Sequence, residues 1–312
     1  MKGVILDRLS LGKGLDLSKL ESLGTWTSHD STKPSETASR IVGADVILTN
    51  KVEVTADHMA QNPGLKYIGI LATGTNNVNL EAAREFGVKV QNVEDYCSDS
   101  LAQHWLSLLL ALTNQTVRYH NAVQKGQWSQ SPFFCFLDFP LETIADRSLL
   151  IVGHGVLGQA VAKLAARIGI NVLISDHPGA SPRKGRVAFE KGLRQAHIVS
   201  LHCPLTPTTT GMICKSTLEF MRPDALLINT ARGGLVNEND LISALKNGTI
   251  AGAALDVVSS EPPPENLPII TQAKDLNLII TPHIAWASQK SRQRLMDKAI
   301  HSLNQFIIET KL

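Results

Sequence analysis

The sequence has few of the features that identify a secreted, membrane-spanning or metal-binding protein. Its four cysteines, Cys97, Cys135, Cys203 and Cys214, are scattered without CxxC spacing, which predicts reduced thiols instead of a disulfide framework or a zinc site. The longest strongly apolar run, Trp105 to Leu112, is much shorter than the roughly 20 residues that span a bilayer. We therefore expect a chain with no membrane span and no bound metal.

Charge of one sign is not in excess either. The chain has 30 Lys and Arg against 28 Asp and Glu, a formal net charge of +2, and both signs are interspersed. Binding to nucleic acid normally needs a concentrated basic stripe, so no nucleic-acid partner is expected. The first residues, Met1 to Arg8, carry charges too close together for the apolar region of a signal peptide, which predicts a cytoplasmic protein.

The length and the hydrophobic pattern predict two α/β domains. A chain of 312 residues is longer than the roughly 250 residues at which single cores stop growing. Short runs rich in Val and Ile alternate with helical patterns, which is typical of helices around parallel sheets. In the first third, the predicted strands are Gly3 to Leu6, Asp45 to Thr49, Tyr67 to Leu71 and Val88 to Gln91, and the predicted helices include Asp57 to Asn62 and Leu80 to Phe86.

A second strand series follows a long helical pattern from Ser98 to about Val123 and an aromatic-rich loop from Ser131 to Pro140. Six strands with intervening helices match a complete doubly wound dinucleotide-binding fold. The predicted strands are Ser148 to Val152, Asn171 to Ser175, His197 to His202, Ala225 to Asn229, Ala251 to Leu255 and Asn277 to Thr281.

A complete GxGxxG motif lies directly after the first strand of this series, in Gly153-His154-Gly155-Val156-Leu157-Gly158. The motif alone is a weak signal, but here a strand precedes it and a helical pattern follows it. Gly153 permits the tight turn, Gly155 lets the backbone approach a pyrophosphate, and Gly158 lets the helix pack closely. The N–H groups at the helix start then bind the phosphates.

An acidic residue, Asp176, ends the next strand about 18 residues after the last glycine, where the ribose-binding carboxylate is expected. A carboxylate there accepts both ribose hydroxyls and repels a 2′-phosphate, so NAD is favoured over NADP. Arg183, Lys184 and Arg186 follow closely. They form either a solvated loop or a group that folds back onto a 2′-phosphate.

Three polar residues follow later strands, where the carboxyl ends of a parallel sheet line the ligand crevice. Arg232 offers a planar, permanently charged fork that binds a carboxylate. His283 has the pKa range suited to proton transfer near neutral pH, and a carboxylate such as Glu261 orients such a ring. Together they predict a 2-hydroxy acid, or its 2-keto partner, facing a nicotinamide.

The order of these motifs closely resembles the D-isomer-specific 2-hydroxyacid dehydrogenase family, over nearly the whole chain. The matching segments are GxGxxG, Asp176, Leu201 to Thr206, Asn229 to Gly233, Asp256 to Pro262 and Thr281 to His283. The resemblance implies that Arg232 orients the substrate, that His283 is the general acid-base and that Glu261 is its partner.

The resemblance also implies the remaining binding residues. Gly153, Gly155, Val156, Leu157, Gly158 and Asp176 would bind NAD, and Cys203, Ala231, Asp256 and His283 would lie at its nicotinamide end. Ala72, Thr73 and Gly74 would present backbone donors to the substrate. Trp286 either shapes the substrate pocket or packs at the domain junction, and both interpretations stay open.

Domain organisation and assembly follow from the same resemblance. It implies a flavodoxin-like substrate domain of residues 1–98 and 287–312, interrupted by a Rossmann NAD-binding domain of residues 99–286. It further implies a homodimer built around the 98–123 helix and the aromatic loop after it.

Within the family, the chain looks most like the glycerate dehydrogenase, or hydroxypyruvate reductase, branch. The segments Ala72 to Val78, Phe134 to Asp138 and His283 to Ser288 carry this likeness. The predicted reaction is therefore hydride transfer between NAD(H) and D-glycerate or hydroxypyruvate, with glyoxylate as a further substrate. Two alternatives are an NAD-responsive, non-enzymatic protein of the corepressor type and a phosphoglycerate dehydrogenase without a regulatory domain.

Overall fold

A computed structural model describes residues 1–181, 183–272 and 276–311. The strands are β1 (Lys2–Ile5), β2 (Thr25–Ser28), β3 (Val46–Thr49), β4 (Tyr67–Ile70), β5 (Lys89–Asn92), β6 (Ser148–Val152), β7 (Asn171–Ser175), β8 (Ile198–Leu201), β9 (Leu226–Asn229), β10 (Gly252–Leu255) and β11 (Leu278–Ile280). The helices are α1 (Ser18–Glu21), α2 (Pro34–Arg40), α3 (Ala56–Ala60), α4 (Leu80–Glu85), α5 (Ser98–Thr113), α6 (Thr116–Gln124), α7 (Val156–Arg167), α8 (Phe189–Gln195), α9 (Lys215–Leu218), α10 (Glu238–Lys246), α11 (Pro268–Thr271) and α12 (Gln289–Thr310).

The first of two compact units comprises Met1–Cys97 and the segment from Trp286 onward. Its sheet has the order β2-β1-β3-β4-β5, with all pairs parallel, which is the flavodoxin-like order. Helix α12 packs against β4 within this unit, where the rings of Tyr67 and Phe306 lie 5.0 Å apart. The sequence did not predict β2, because this edge strand is largely exposed and carries no buried apolar alternation.

The second unit, Ser98–Ala285, contains a parallel sheet in the order β11-β10-β9-β8-β6-β7. Beyond β7, Val187 forms a single parallel bridge to Ser175 and donates its N–H to Ile174 at 2.9 Å. Counted as a strand position, Val187 completes the usual order of a dinucleotide-binding sheet, with β11 as an addition. The α/β fold prediction is confirmed, and β6 and β7 have the predicted bounds.

The predicted long helix from Ser98 to about Val123 is wrong in one respect, because the structure has two helices there. Gln115 adopts a left-handed backbone conformation (φ 50°) and separates α5 from α6. Its buried side-chain amide donates to the carbonyl of Leu112 at 2.6 Å, so it satisfies one of the carbonyl groups left at the end of α5. In the described ranges, no helix has the length and apolar character needed to cross a membrane.

Candidate active site

The glycine loop between β6 and α7 is shaped by backbone contacts that exclude side chains. Gly153 has φ +90°, and a Cβ atom there would lie 2.8 Å from the backbone of His202 and Cys203. A Cβ on Gly158 would lie 2.3 Å from the carbonyl oxygen of Gly153. These contacts explain why strand and helix approach so closely only with glycine at both positions.

Gly155 differs from the other two glycines because the space beside it is open. A Cβ atom on Gly155 would meet nothing within 4 Å. Gly155 is also the N-cap of α7 and makes no side-chain capping bond, while Val156 and Leu157 begin the helix. The first N–H groups of a helix have no acceptor within the helix, so open space beside the start of α7 fits the pyrophosphate of a dinucleotide.

Asp176 follows β7 directly, and its carboxylate is bound by two arginines. Arg183 donates from Nε to Oδ2 at 3.1 Å and from Nη2 to Oδ1, and Arg186 donates from Nη1 to Oδ1. The hydrogen bond from Arg183 is the main cause that lowers the pKa of Asp176, with the charges of both arginines adding to it. The loop after β7 therefore folds back onto the carboxylate that the sequence assigns to the ribose.

The carboxyl ends of the central strands are aligned by their register. Leu201, Asn229, Leu255 and Ile280 are successive partners across β8, β9, β10 and β11. The residues that follow these strands therefore lie along one edge of the sheet, as predicted for a ligand crevice. They include Cys203, Ala231, Arg232, Asp256 and His283.

Cys203 is buried, and its Sγ lies 3.9 Å from the Sδ of Met212. Burial raises the pKa of the Cys203 thiol to about 11, so the thiol is protonated at neutral pH. A protonated, packed thiol is not a nucleophile. The residue contributes an apolar wall to this edge of the sheet.

The turn that carries Arg232 is held by a buried asparagine that the sequence prediction missed. Asn229 is fully buried, donates from Nδ2 to the carbonyl of Arg232 at 2.9 Å and accepts from the N–H of Ala231 at 3.0 Å. The next residue, Gly233, packs directly against the backbone of Val258, and a Cβ atom on Gly233 would lie 1.9 Å from the carbonyl oxygen of Val258. The backbone of Arg232 is therefore fixed, while its side chain is exposed.

His283 and Glu261 form the predicted pair. Nδ1 of His283 lies 2.6 Å from Oε2 of Glu261, and Oε1 of Glu261 accepts the N–H of Val258 at 3.1 Å. His283 has φ 55°, and its N–H donates to the carbonyl of Asp256 at 2.8 Å. The carboxylate thus orients the imidazole through one nitrogen, which is the arrangement of a positioned general acid-base.

Asp256 has a structural role beyond the cofactor role predicted from the sequence. Its carboxylate is almost completely buried and accepts from Thr281 Oγ1 at 2.6 Å and from the N–H groups of Ile284 and Ala285 at 2.9 and 2.8 Å. Burial by itself raises the pKa of Asp256, but hydrogen bonds from His104, Thr281 and the two N–H groups lower it overall. The ionised carboxylate therefore fixes the segment that carries His283.

A second histidine near this edge, His202, is a structural group. Its Nε2 lies 2.8 Å from Oγ of Ser200, and burial lowers its pKa to about 3. The imidazole is therefore neutral at physiological pH and serves as a hydrogen-bonding group at the end of β8.

The predicted substrate residues of the first unit follow β4 or precede α12. Ala72 is buried and accepts the N–H of Val93 at 3.1 Å, while the carbonyl of Thr73 accepts Asn92 Nδ2 at 2.7 Å; Gly74 comes next. The ring of Trp286 stacks edge-on against buried Tyr96, with centroids 6.3 Å apart. The sequence did not single out Tyr96, since this contact joins distant segments.

A cavity of about 590 Å³ in the second unit reaches both His283 and Glu261. Among the residues that line it are Asp256, Glu261, Thr281 and His283. A nucleotide fold with a histidine–carboxylate pair at the carboxyl edge of its sheet defines a dinucleotide-dependent oxidoreductase as the class of protein.

Comparison with known proteins specifies this class. Residues 106–285 match the family described as D-isomer specific 2-hydroxyacid dehydrogenase, NAD binding domain. The chain is 41% identical to a glycerate dehydrogenase of Methylorubrum extorquens, covering 98% of this chain and 96% of that protein. It is 38% identical to a hydroxypyruvate reductase of Blautia hydrogenotrophica, covering 98% and 97%. A crystal structure of a protein from Thermus thermophilus has a TM-score of 0.85 and 31% identity, covering 97% and 96%.

The chain belongs to the D-isomer-specific 2-hydroxyacid dehydrogenase family. It is an NAD-dependent oxidoreductase of 2-hydroxy acids, and the resemblance seen in the sequence is confirmed. The corepressor-type and phosphoglycerate dehydrogenase alternatives are not favoured, since relatives that are 38–41% identical over nearly the whole chain are named glycerate dehydrogenase and hydroxypyruvate reductase.

Proposed function

We propose that the enzyme interconverts hydroxypyruvate and D-glycerate, and that it also reduces glyoxylate. The observation that carries the proposal is the His283–Glu261 contact of 2.6 Å at the sheet edge that also carries Arg232. The similarity to a glycerate dehydrogenase and a hydroxypyruvate reductase over nearly the whole chain supports this choice of substrate.

We assign the chemistry to three side chains. When bound, NADH supplies the hydride that reduces the keto carbon. Arg232 binds the substrate carboxylate with its planar fork and stabilises negative charge that develops on the carbonyl oxygen. Protonated His283 gives its proton to that oxygen. Because Nδ1 is hydrogen-bonded to Glu261, we assign this transfer to Nε2. In the reverse direction, His283 accepts the hydroxyl proton.

The binding residues follow the same proposal. Gly153, Gly155, Val156, Leu157, Gly158 and Asp176 bind the adenosine and pyrophosphate part of NAD, and Cys203, Ala231 and Asp256 surround its nicotinamide end. Ala72, Thr73 and Gly74 give backbone donors to the substrate, and Trp286 contacts it. The first unit is then the substrate domain and the second unit the cofactor domain.

The decisive experiment is NADH oxidation with a panel of hydroxypyruvate, glyoxylate, pyruvate and bulkier keto acids. We expect the highest kcat/KM with hydroxypyruvate. His283→Ala is expected to lower kcat by about 100-fold or more while the Kd of NADH changes by less than about threefold. Unaltered turnover of this variant would remove His283 from the acid-base role, and preference for a bulky keto acid would remove the substrate assignment.

We also propose a cytoplasmic homodimer. An aromatic segment after α6 is exposed, with Phe133 at 73% and Phe134 at 92% exposure, and such a patch is typical of a protein interface. The cysteines are free thiols, which is typical of a reducing compartment. Sedimentation of the wild type and of a Phe133→Ser, Phe134→Ser double variant tests the assembly; equal masses would contradict this interface.

A further inference from the structure

The carboxylate assigned to the NAD ribose is surrounded by fixed positive charge. Asp176 binds both Arg183 and Arg186, and the two guanidinium groups are permanently charged. One negative and two positive charges leave an excess of positive charge at this point of the site. An isolated carboxylate repels a 2′-phosphate, but this cluster attracts one.

The two arginines are held differently. The side chain of Arg183 is 67% exposed, whereas those of Arg186 and Asp176 are 17% and 12% exposed. Arg186 also precedes Val187, whose bridge to Ser175 ties the backbone to the end of β7. Arg186 is therefore anchored beside Asp176, while Arg183 sits on a solvent-exposed part of the loop.

The cluster lies next to the glycine loop. Burial lowers the pKa of His154, the second residue of the GxGxxG motif, and the positive charge of Arg186 lowers it further. The N–H of Gly153 also donates to the carbonyl of Ser175, the residue before Asp176, at 3.1 Å. The cluster therefore lies beside the loop that would bind the pyrophosphate, where the adenosine ribose of a dinucleotide is expected.

We propose that this cluster is a 2′-phosphate site, so that the enzyme binds NADP(H) as well as NAD(H). Arg183 turns from Asp176 to the phosphate and binds it with its planar fork, while Arg186 stays on Asp176 and neutralises it. With NAD(H), Asp176 accepts the ribose hydroxyls. The inference rests on the assignment of the glycine loop and Asp176 to the cofactor.

The test compares two ligands that differ only in the phosphate and carry no nicotinamide. Kd values for ADP-ribose and 2′-phospho-ADP-ribose are measured by calorimetry, in parallel with NADH and NADPH by fluorescence. For the wild type, we expect the phosphorylated and unphosphorylated ligands to bind within about tenfold of each other, because one charge-assisted pair replaces the hydroxyl contacts.

The variants separate the two arginines from a general effect of charge. Arg183→Gln is expected to weaken the phosphorylated ligands about 10- to 100-fold and the others less than about threefold. Arg186→Gln leaves Asp176 charged and weakens the phosphorylated ligands similarly. Lys184→Gln, which removes an exposed cation in the same loop, is the matched control and changes either Kd less than about threefold.

The contrary outcomes are distinct. Wild-type binding of the phosphorylated ligands more than about tenfold weaker than that of the others, or equal losses for both ligand pairs in Arg183→Gln, would show that the arginines only stabilise the loop. Failure of ADP-ribose and NADH to bind at all would overturn the cofactor site itself, and the inference with it.

Discussion

His104 Nε2 lies 3.3 Å from Oδ1 of Asp256, so helix α5 contacts the buried carboxylate that holds the His283 segment. The same imidazole nitrogen is 3.0 Å from Oγ1 of Thr281. Because Asp256 also accepts from Thr281 Oγ1 and from the N–H groups of Ile284 and Ala285, its carboxylate joins α5 to both sides of His283. We infer that the position of His283, the proposed general acid-base, depends on this buried network.

Asp256→Asn is expected to lower both stability and kcat. The amide places an N–H₂ group where a backbone N–H now donates, so at least one buried donor loses its acceptor, at a cost of about 2–4 kcal/mol at pH 7. We expect a lower Tm and a kcat reduced by about tenfold or more, with His283 mispositioned. The measurements are thermal unfolding and steady-state kinetics.

The pH dependence of this loss has a definite sign. The folded-state pKa of Asp256 is lowered, so its stabilisation is present above the unfolded pKa of about 3.9 and is lost as pH falls through the folded value. The stability difference between wild type and variant therefore shrinks below about pH 4. A difference that stays constant into strong acid would contradict an ionised Asp256.

Two glycine substitutions are expected to separate folding from cofactor binding. Gly158→Ala puts a Cβ 2.3 Å from the carbonyl oxygen of Gly153, so the helix must shift and both the Tm and NADH affinity fall. Gly155→Ala puts a Cβ into open space at an ordinary φ of −75°, so the Tm changes little. Its methyl group still occupies the space that the pyrophosphate would enter, and we expect the Kd of NADH to rise by about tenfold or more. Normal NADH binding by Gly155→Ala would place the pyrophosphate elsewhere.

The sequence predicts those parts of the site whose roles can be recognised from residues next to them in the chain. The glycine loop, Asp176 and the polar residues after buried strands stand out because they interrupt or follow apolar runs. The roles of His104 and Tyr96 do not, since the fold brings their partners from distant segments. Asn229 lies inside a matched segment and bonds nearby residues, but its spacing alone does not show that its amide closes the turn. The break at Gln115 was missed for a similar reason: the apolar spacing continues through it, while the backbone conformation is set by contacts with Leu112 and Asn277.

His202 is expected to make the protein acid-labile. Its folded pKa of about 3 lies below the unfolded value of 6.5, so the unfolded state binds a proton first and stability falls as pH drops from 6.5 toward 3. Between pH 6.5 and 5 this costs about 2 kcal/mol. His202→Gln is therefore expected to flatten the decline in Tm over this range.

An exposed histidine gives the matched control for this effect. His177→Gln should follow the wild-type decline in Tm, because His177 is exposed and its replacement leaves His202 in place. Parallel declines in wild type and His202→Gln would mean that His202 is solvated in the folded protein.

Trp286→Ala is expected to change which keto acids the enzyme accepts. The indole stacks on buried Tyr96, so removing it leaves a space that the backbone does not fill. If Trp286 lines the substrate pocket, kcat/KM for hydroxypyruvate falls. The ratio of kcat/KM for a bulkier keto acid to that for hydroxypyruvate then rises by about tenfold or more, since one pocket group is worth about 1–3 kcal/mol. If Trp286 only packs, all substrates lose activity equally and the Tm falls. Tyr96→Phe keeps the aromatic contact and serves as the control, with its substrate preference expected to match the wild type.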